Sequence, residues 1–186
     1  QELHKTPYKA VEIDNLKEYI NATLHMMINK NCERIKFSER YKGIIDRYNA
    51  GGTENEEFYN QLVQLIADMK KESERPNLYG LTEEELEIFD LLIKGKELTK
   101  AEEQKVILSA KNLYQKLNAN RNTLFVADWY KDEQPKAKVK TAIMDTLDAG
   151  LPESYDKEVF NVKTELLLNH FIDMAVQGYG WIGRPF

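Results

Sequence analysis

Apolar residues recur every three to four positions along almost the whole chain, a spacing that predicts amphipathic helices. The first predicted helix carries a stripe made of Val11, Leu16, Ile20, Leu24, Met27 and Ile28. A second and cleaner stripe consists of Phe37, Tyr41, Ile44, Ile45 and Tyr48. This helix is predicted to end at residues 49–52, Asn-Ala-Gly-Gly, because glycine adopts the left-handed conformation that closes a helix.

Threonine and glutamate at a spacing of three predict where later helices begin, because each side chain satisfies an unpaired backbone N–H group. Three such capping boxes occur, namely Thr53 with Glu56, Thr82 with Glu85, and Thr99 with Glu102. The helix after Thr53 is expected to break at residues 75–77, Arg-Pro-Asn, because proline lacks a backbone N–H. Ser154 is expected to cap the last helix.

After Asp128 and Trp129 a further helix carries Val139, Ile143 and Leu147 and is expected to end at residues 149–150, Ala-Gly. The stretch before it is less regular. Residues 118–121 are polar and predict a loop, whereas residues 123–126 fit either an extended or a helical segment. Strands of alternating polarity are not indicated elsewhere. We therefore predict an all-α fold, an irregular bundle of about seven helices that forms a single domain over residues 1–186. Its aromatic tail, at about residues 177–186, is expected to pack on its own domain rather than on a partner.

Charge and cysteine content exclude several classes of protein. The 186 residues include 26 Lys and Arg against 31 Asp and Glu, giving a net charge of −5. This balance argues against a dedicated nucleic-acid coat or a binder of anionic membranes. The single cysteine, Cys32, excludes an internal disulfide and fits a reducing cytoplasm. Neither a secretory signal nor a membrane-spanning segment is indicated, so we expect a cytoplasmic protein without a membrane partner.

No pattern typical of a catalytic, cofactor-binding or metal site stands out. A phosphate-binding loop and a nucleophile elbow are both missing, and His4, His25 and His170 are far apart in sequence. A packed or surface role is therefore expected for His170, and a structural thiol for Cys32. Residues 103–105, Glu-Gln-Lys, match the end of a nuclease signature, but they fall inside a capped helix rather than on a strand. We expect no catalytic residue, cofactor or metal in this chain.

Two basic stretches leave two alternatives open, contact with phosphate groups or a solvated helix face. The first contains Arg34, Lys36, Arg40, Lys42 and Arg47. The second contains Lys131, Lys136, Lys138 and Lys140. The acidic total favours the solvated face in both cases.

Four sequence blocks resemble blocks of a known family in their residues, order and spacing. They are SERYKGIIDRYN at 38–49, GLTEEELEIFDLL at 80–92, DW at 128–129 followed by AKVK at 137–140, and GLPESY at 150–155. Together they resemble the C-terminal helical region of the R subunit of type I restriction-modification enzymes. The second block is the most specific of the four.

The resemblance implies a context rather than an activity. In that family the R subunit carries an endonuclease domain and two motor domains, and it translocates DNA with ATP and Mg²⁺. None of those catalytic motifs is present here, so the resemblance implies a non-catalytic fragment of a larger multidomain protein. The helical region would dock this parent, a DNA translocase and endonuclease, on the methyltransferase core of M and S subunits.

Candidate interface residues come from the matched blocks and the basic stretches. They are Arg40, Asp46, Arg47, Trp129, Lys138 and Lys140. For Asp46 and Arg47 an intramolecular ion pair is favoured over contact with a partner. For Trp129 an anchor on the core is favoured over an interface hot spot. Two alternatives to docking remain, a module that contacts DNA and guides it along the motor, and a helical interaction domain from an unrelated protein.

Overall fold

A computed structural model describes residues 6–178 together with Trp181 and Ile182. The described residues are 81% helical and form eight α-helices and no strand, which confirms the all-α class. The α-helices are α1 (Thr6–Lys30), α2 (Ile35–Asn49), α3 (Asn55–Tyr79), α4 (Glu83–Ile93), α5 (Lys100–Ala119), α6 (Arg121–Leu124), α7 (Glu133–Gly150) and α8 (Lys157–Gln177). A 3-10 helix, Cys32–Arg34, joins α1 to α2.

The helix count exceeds the expected seven by one because of the short helix α6. It occupies Arg121–Leu124, at the end of the predicted polar loop and the start of the ambiguous segment 123–126. Its single turn is held by the Asn120 carbonyl, which accepts backbone hydrogen bonds from Thr123 and Leu124. A helix of one turn is too short to produce a periodic stripe, so its sequence carries no helical signature.

The chain divides into two compact units between Leu78 and Tyr79. The division falls at the last turn of α3, where no change of composition or glycine-rich linker marks it. The sequence therefore offered no boundary at this point. The assignment of residues 1–186 to one domain stays a prediction.

The first unit has its own hydrophobic core, built from α1, α2 and α3. Its fully buried members are Ile13, Ile20, Leu24, Met27, Phe37, Ile44, Phe58, Leu62, Leu65 and Met69. Tyr48 near the end of α2 stacks on Phe58 near the start of α3, with ring centroids 3.9 Å apart. Gly51 adopts a positive φ of 74° after α2, as the pattern at residues 49–52 predicts.

The second unit is a set of helices in which α4 packs on α5, α5 on α7, α7 on α8, and α8 returns to α4. Two polar side chains close this arrangement at the end of α4. The hydroxyl of Tyr155 donates to the Leu92 carbonyl at 3.0 Å, and Lys163 Nζ donates to the carbonyls of Leu91 and Lys94. They satisfy carbonyls that have no partner within the helix, where the helix dipole also favours a positive charge.

Two of the three predicted capping boxes are confirmed and one is wrong. Thr82 and Glu85 cap α4 reciprocally, as do Thr99 and Glu102 at α5. The box at Thr53 does not form, because α3 starts later. Its first helical hydrogen bond runs from Phe58 N–H to the Glu54 carbonyl.

Two helix boundaries also differ from the sequence-based prediction. Pro76 lies inside α3 and does not break it, since the helix continues to Tyr79. The proline ring is buried, and this burial offsets the lost hydrogen bond near the helix end. Asp156, not Ser154, caps α8, with its carboxylate accepting from Val159 N–H at 2.9 Å.

The described part of the aromatic tail packs on the second unit, as predicted. Trp181 is buried with ring centroids 5.1 Å from Tyr114, 5.8 Å from Phe125 and 5.8 Å from Phe171, each pair edge to face. Ile182 is buried as well. Residues 179–180 and 183–186 of the predicted tail lie outside the described residues.

Candidate functional site

Helix α2 separates its charged residues onto two edges. A helix advances 100° per residue, so Lys36, Arg40 and Arg47 fall on one exposed edge, which also includes Gly43. A neighbouring exposed edge, centred about 100° around the helix, carries Glu39, Lys42 and Asp46. The apolar face that packs in the core of the first unit lies on the other side of the helix. The first basic stretch is thus divided by the helix geometry.

Arg34 is not part of either edge, because it is buried. Its Nε lies 3.3 Å from Glu72 Oε1, and an Arg75 guanidinium nitrogen lies 2.8 Å from the same oxygen. The carboxylate of Glu72 on α3 therefore compensates two guanidinium groups inside the first unit. This member of the predicted basic stretch acts as a structural residue.

Arg40 forms an ion pair across the α2–α3 packing. Its guanidinium donates to Asp68 Oδ2 at 2.6 Å, and both side chains remain partly accessible to solvent. This hydrogen bond is the main reason why the pKa of Asp68 lies below its ordinary value, and the positive charge of Lys71 lowers it further. Lys71 lies one turn further along α3 than Asp68, the ion-pair partner of Arg40.

Asp46 and Arg47 are both exposed, and neither forms an ion pair with a described residue. The expected intramolecular ion pair is therefore not found among these residues. Adjacent residues on a helix point about 100° apart, which places the two side chains on different edges of α2. Arg47 is therefore an unneutralised cation on the same edge as Lys36. The role of these two residues in an interface stays a prediction.

The lysines of the second basic stretch are mostly neutralised by nearby acids. Lys131 lies 2.9 Å from Asp128, Lys136 lies 2.6 Å from Glu133, and Lys140 on α7 pairs with Glu165 on α8. Lys138 is the exception, since it is exposed and forms no ion pair with a described residue. The interface roles proposed for Lys138 and Lys140 remain untested.

Trp129 is 3% exposed and is an anchor of its loop on the second unit. Its ring makes an edge-to-face contact with Phe125 at 5.3 Å and another with Tyr130 at 6.2 Å. The aromatic contacts continue from Phe125 to Trp181 in the tail. Of the two alternatives, the structure places Trp129 in the core rather than on the surface.

A groove lies between α7 and α8, with a volume of about 450 Å³. Ala137, Leu168 and Ile172 supply its apolar lining. Charged and polar side chains line the rest of it, namely Glu133, Lys136, Lys140, Glu165 and Asn169. Because its lysines are already paired with its glutamates, the groove offers no strong net charge to a ligand.

An apolar surface on α1 was missed by the sequence analysis. Val11 is 61% exposed and Met26 60% exposed, and Tyr19 is also exposed on the same side of the helix. The core side of α1 carries Ile20 and Leu24 instead. Val11 was therefore wrongly assigned to the buried stripe, because α1 is apolar on two sides and a single stripe does not describe it.

Two of the three histidines, His25 and His170, lie within the described residues. His170 on α8 is buried with Nε2 3.3 Å from Glu87 Oε1 on α4, which agrees with the expected packed role. His25 is exposed, and its Nδ1 lies 3.3 Å from the side-chain amide of Asn29 on the next turn. His4 lies outside the described residues. Cys32 is a partly buried free thiol.

The structure thus defines an all-α fold whose first unit carries a basic edge on α2 and an apolar stripe on α1. The family model for type I restriction enzyme HindI endonuclease subunit-like C-terminal domains matches residues 1–174. The chain belongs to this family of C-terminal domains of type I restriction enzyme endonuclease subunits. The alternative of a domain from an unrelated protein is therefore set aside.

A curated relative agrees with the family. The chain is 28% identical over 143 residues to the putative type I restriction enzyme MjaIXP endonuclease subunit of Methanocaldococcus jannaschii. The match covers 76% of this chain but 13% of that protein, so the chain spans a small part of its relative's length. No solved structure matches the chain.

Among the described residues, no helix is both long and apolar enough to cross a membrane.

Proposed function

We propose that this chain is a non-catalytic docking domain, which holds the rest of an endonuclease subunit on the methyltransferase core of M and S subunits. The family supports a place in a multi-subunit restriction enzyme. The ATP- and Mg²⁺-dependent steps, DNA translocation and cleavage, are assigned to other parts of the longer subunit.

The observation that carries the proposal is the apolar stripe of Val11, Tyr19 and Met26 on α1. Because they are eight and seven residues apart, all three side chains lie within a sector of about 80° around the helix axis. Exposed apolar patches bounded by polar residues are typical of protein-binding surfaces, and a tyrosine within one is a common hot spot. Glu18 borders this stripe and Asn29 follows it one turn after Met26, while Asn15 lies between Val11 and Tyr19.

A protein partner explains this stripe better than solvent does. Burying the exposed half of each side chain would gain about 1–1.5 kcal/mol, so leaving three of them exposed has a cost that a partner removes. Because the chain belongs to the type I restriction family, the partner we propose is the methyltransferase core.

Binding measurements with matched variants test the proposal. The chain is titrated onto an immobilised M–S core in three forms: unchanged, with Val11→Asp and Met26→Asp together, and with Val162→Asp and Val176→Asp together. All four valine and methionine side chains are between 59% and 61% exposed, which makes the α8 pair a matched control. We expect the α1 variant to bind on the order of 100-fold more weakly and the α8 variant to bind unchanged.

Circular dichroism verifies that both variants keep their helix content. Failure of the unchanged chain to bind the core contradicts docking. Equal losses in the two variants contradict the assignment to α1.

A further inference from the structure

We propose that the basic edge of α2, extended by Lys71 of α3, binds the phosphate backbone of duplex DNA. This edge consists of Lys36, Arg40, Gly43 and Arg47 on α2, and we call it together with Lys71 the α2 basic edge. It lies within the first unit and does not depend on the docking proposal.

The first argument is that its charges are available. Lys36, Arg47 and Lys71 are exposed, and none forms an ion pair with a described residue. Only Arg40 has an acidic partner, Asp68, and its side chain is still 43% exposed. In the second basic stretch the opposite holds, because three of four lysines are paired with acids.

The second argument is the linear arrangement of the charges. Lys36 and Arg47 are eleven residues apart on one helix edge, which separates them by about 16 Å along the axis. One strand of duplex DNA carries a phosphate about every 3.4 Å of its axis, so the edge has the length of about five phosphates. Lys71 adds a further cation beside the Arg40–Asp68 pair.

The third argument concerns Gly43, in the middle of the edge. A Cβ atom at this position would meet nothing within 4 Å, so no contact inside the chain requires a glycine. Glycine within a helix is unfavourable relative to alanine. The absence of a side chain leaves the backbone open to close approach by a partner between Arg40 and Arg47.

The surface chemistry favours DNA over an acidic protein. Protein-binding sites have an apolar or aromatic centre, whereas contacts with a phosphate backbone need point charges and small or polar residues. The α2 basic edge displays no large exposed apolar side chain. The exposed Ile35 of α2 lies on the neighbouring edge, with Glu39 and Asp46.

The test is fluorescence anisotropy of the 186-residue chain with a short labelled duplex of mixed sequence. Three or four phosphate contacts predict a slope of about −3 in the logarithm of the binding constant against the logarithm of salt concentration. The affinity is then expected to fall roughly 50-fold between about 50 and about 200 mM salt.

Two double variants with the same change of net charge localise the contact. Lys36→Glu with Arg47→Glu alters the α2 basic edge, and is expected to weaken binding at least tenfold and to reduce the slope by about 2. Lys42→Glu with Lys138→Glu alters exposed lysines elsewhere, and is expected to change the slope by less than about 0.5. Arg40 is left unchanged, since replacing it with an acid would place two acidic side chains, the new one and Asp68, next to each other.

Three results would overturn the proposal. They are no binding at low salt, equal losses in the two double variants, or binding that does not depend on salt. If the unchanged chain does not bind DNA and the α2 variant loses binding to the M–S core, the α2 basic edge is a protein contact and the proposal is wrong. Because docking is measured with a different partner and different residues, either proposal can fail without the other.

Discussion

At the scale of single residues, the charged side chains of this chain divide into buried ion pairs and exposed cations. Arg34, Arg40 and Arg47 look alike in the sequence, yet one is buried against Glu72, one is bonded to Asp68 and one is exposed. Periodicity places each residue on a face of its own helix. It does not reveal an acid on another helix, such as Glu72, which lies 38 positions from Arg34.

Replacing a carboxylate by an amide is expected to lower the free energy of unfolding more in the buried ion pair than in the exposed one. Glu72→Gln removes the negative charge that the buried Arg34 and the partly buried Arg75 both contact, and is expected to lower the free energy of unfolding by about 3 kcal/mol. Asp68→Asn breaks a partly exposed pair and is expected to cost less than about 1 kcal/mol. Urea unfolding followed by circular dichroism measures both. Equal costs would show that Glu72 does not carry the role assigned to it.

Glu102 predicts a dependence of stability on pH. Hydrogen bonds from Ser154 and from Thr99, with the Ser154 bond the stronger cause, lower the pKa of Glu102 from 4.5 to about 2. A lowered folded-state pKa stabilises the fold above the unfolded-state value, and this contribution disappears as the pH falls through the folded-state value.

The comparison of the unchanged chain with Glu102→Ala follows this contribution. The difference in unfolding free energy is expected to be constant above about pH 5 and to shrink between about pH 4.5 and pH 2. Urea unfolding at a series of pH values measures it. A difference that stays constant down to pH 2 would contradict the role of the carboxylate.

At the scale of the elements, local sequence predicted helices well and their ends less well. The boxes at Thr82 and Thr99 form because each threonine directly precedes its helix. Thr53 matches the same pattern, but its helix begins after Glu54. Ser154 is the expected cap of α8, but the carboxylate of Asp156, two residues later, makes this cap. Such choices depend on the neighbouring helix, which a local pattern does not contain.

Two helical glycines predict opposite effects of the same substitution. Gly43→Ala is expected to stabilise the chain by about 0.5–1 kcal/mol, because the added Cβ meets nothing within 4 Å. Gly150→Ala is expected to destabilise it by about 1–3 kcal/mol, because its Cβ would lie 2.5 Å from Ser109 Oγ.

The unfolding free energies of both variants are measured in urea. The double variant Gly150→Ala with Ser109→Ala is the control, since removing the hydroxyl should recover part of the loss. Destabilisation by Gly43→Ala would mean that its place in α2 has a structural requirement.

At the scale of the whole molecule, the fold class and family were predictable, whereas the surfaces were not. The four matched blocks largely mark structural positions. Tyr155 of the fourth block donates to the Leu92 carbonyl of the second, and Trp129 of the third is buried. The apolar stripe on α1 was missed because an excess of apolar residues on a helix does not show which of them stay exposed. The sequence therefore indicated what builds the units better than what they bind.

The aromatic tail is predicted to be part of the second unit and not an appendage. Trp181→Ala removes the ring that contacts Tyr114, Phe125 and Phe171, and is expected to cost about 3–5 kcal/mol. Tyr19→Ala removes an exposed ring and serves as the control, with a change of less than about 1 kcal/mol. Urea unfolding compares them. A small effect at Trp181 would show that the second unit is stable without its tail.

Docking to the methyltransferase core is the central claim, and size-exclusion chromatography with light scattering tests it most directly. The chain is mixed with the purified M–S core at low salt and again at high salt. An apolar contact through α1 predicts co-elution at a mass above that of the core, and it predicts that the complex persists at high salt, where exposed charge contacts are screened. Elution of the chain by itself at both salt concentrations would contradict the docking function.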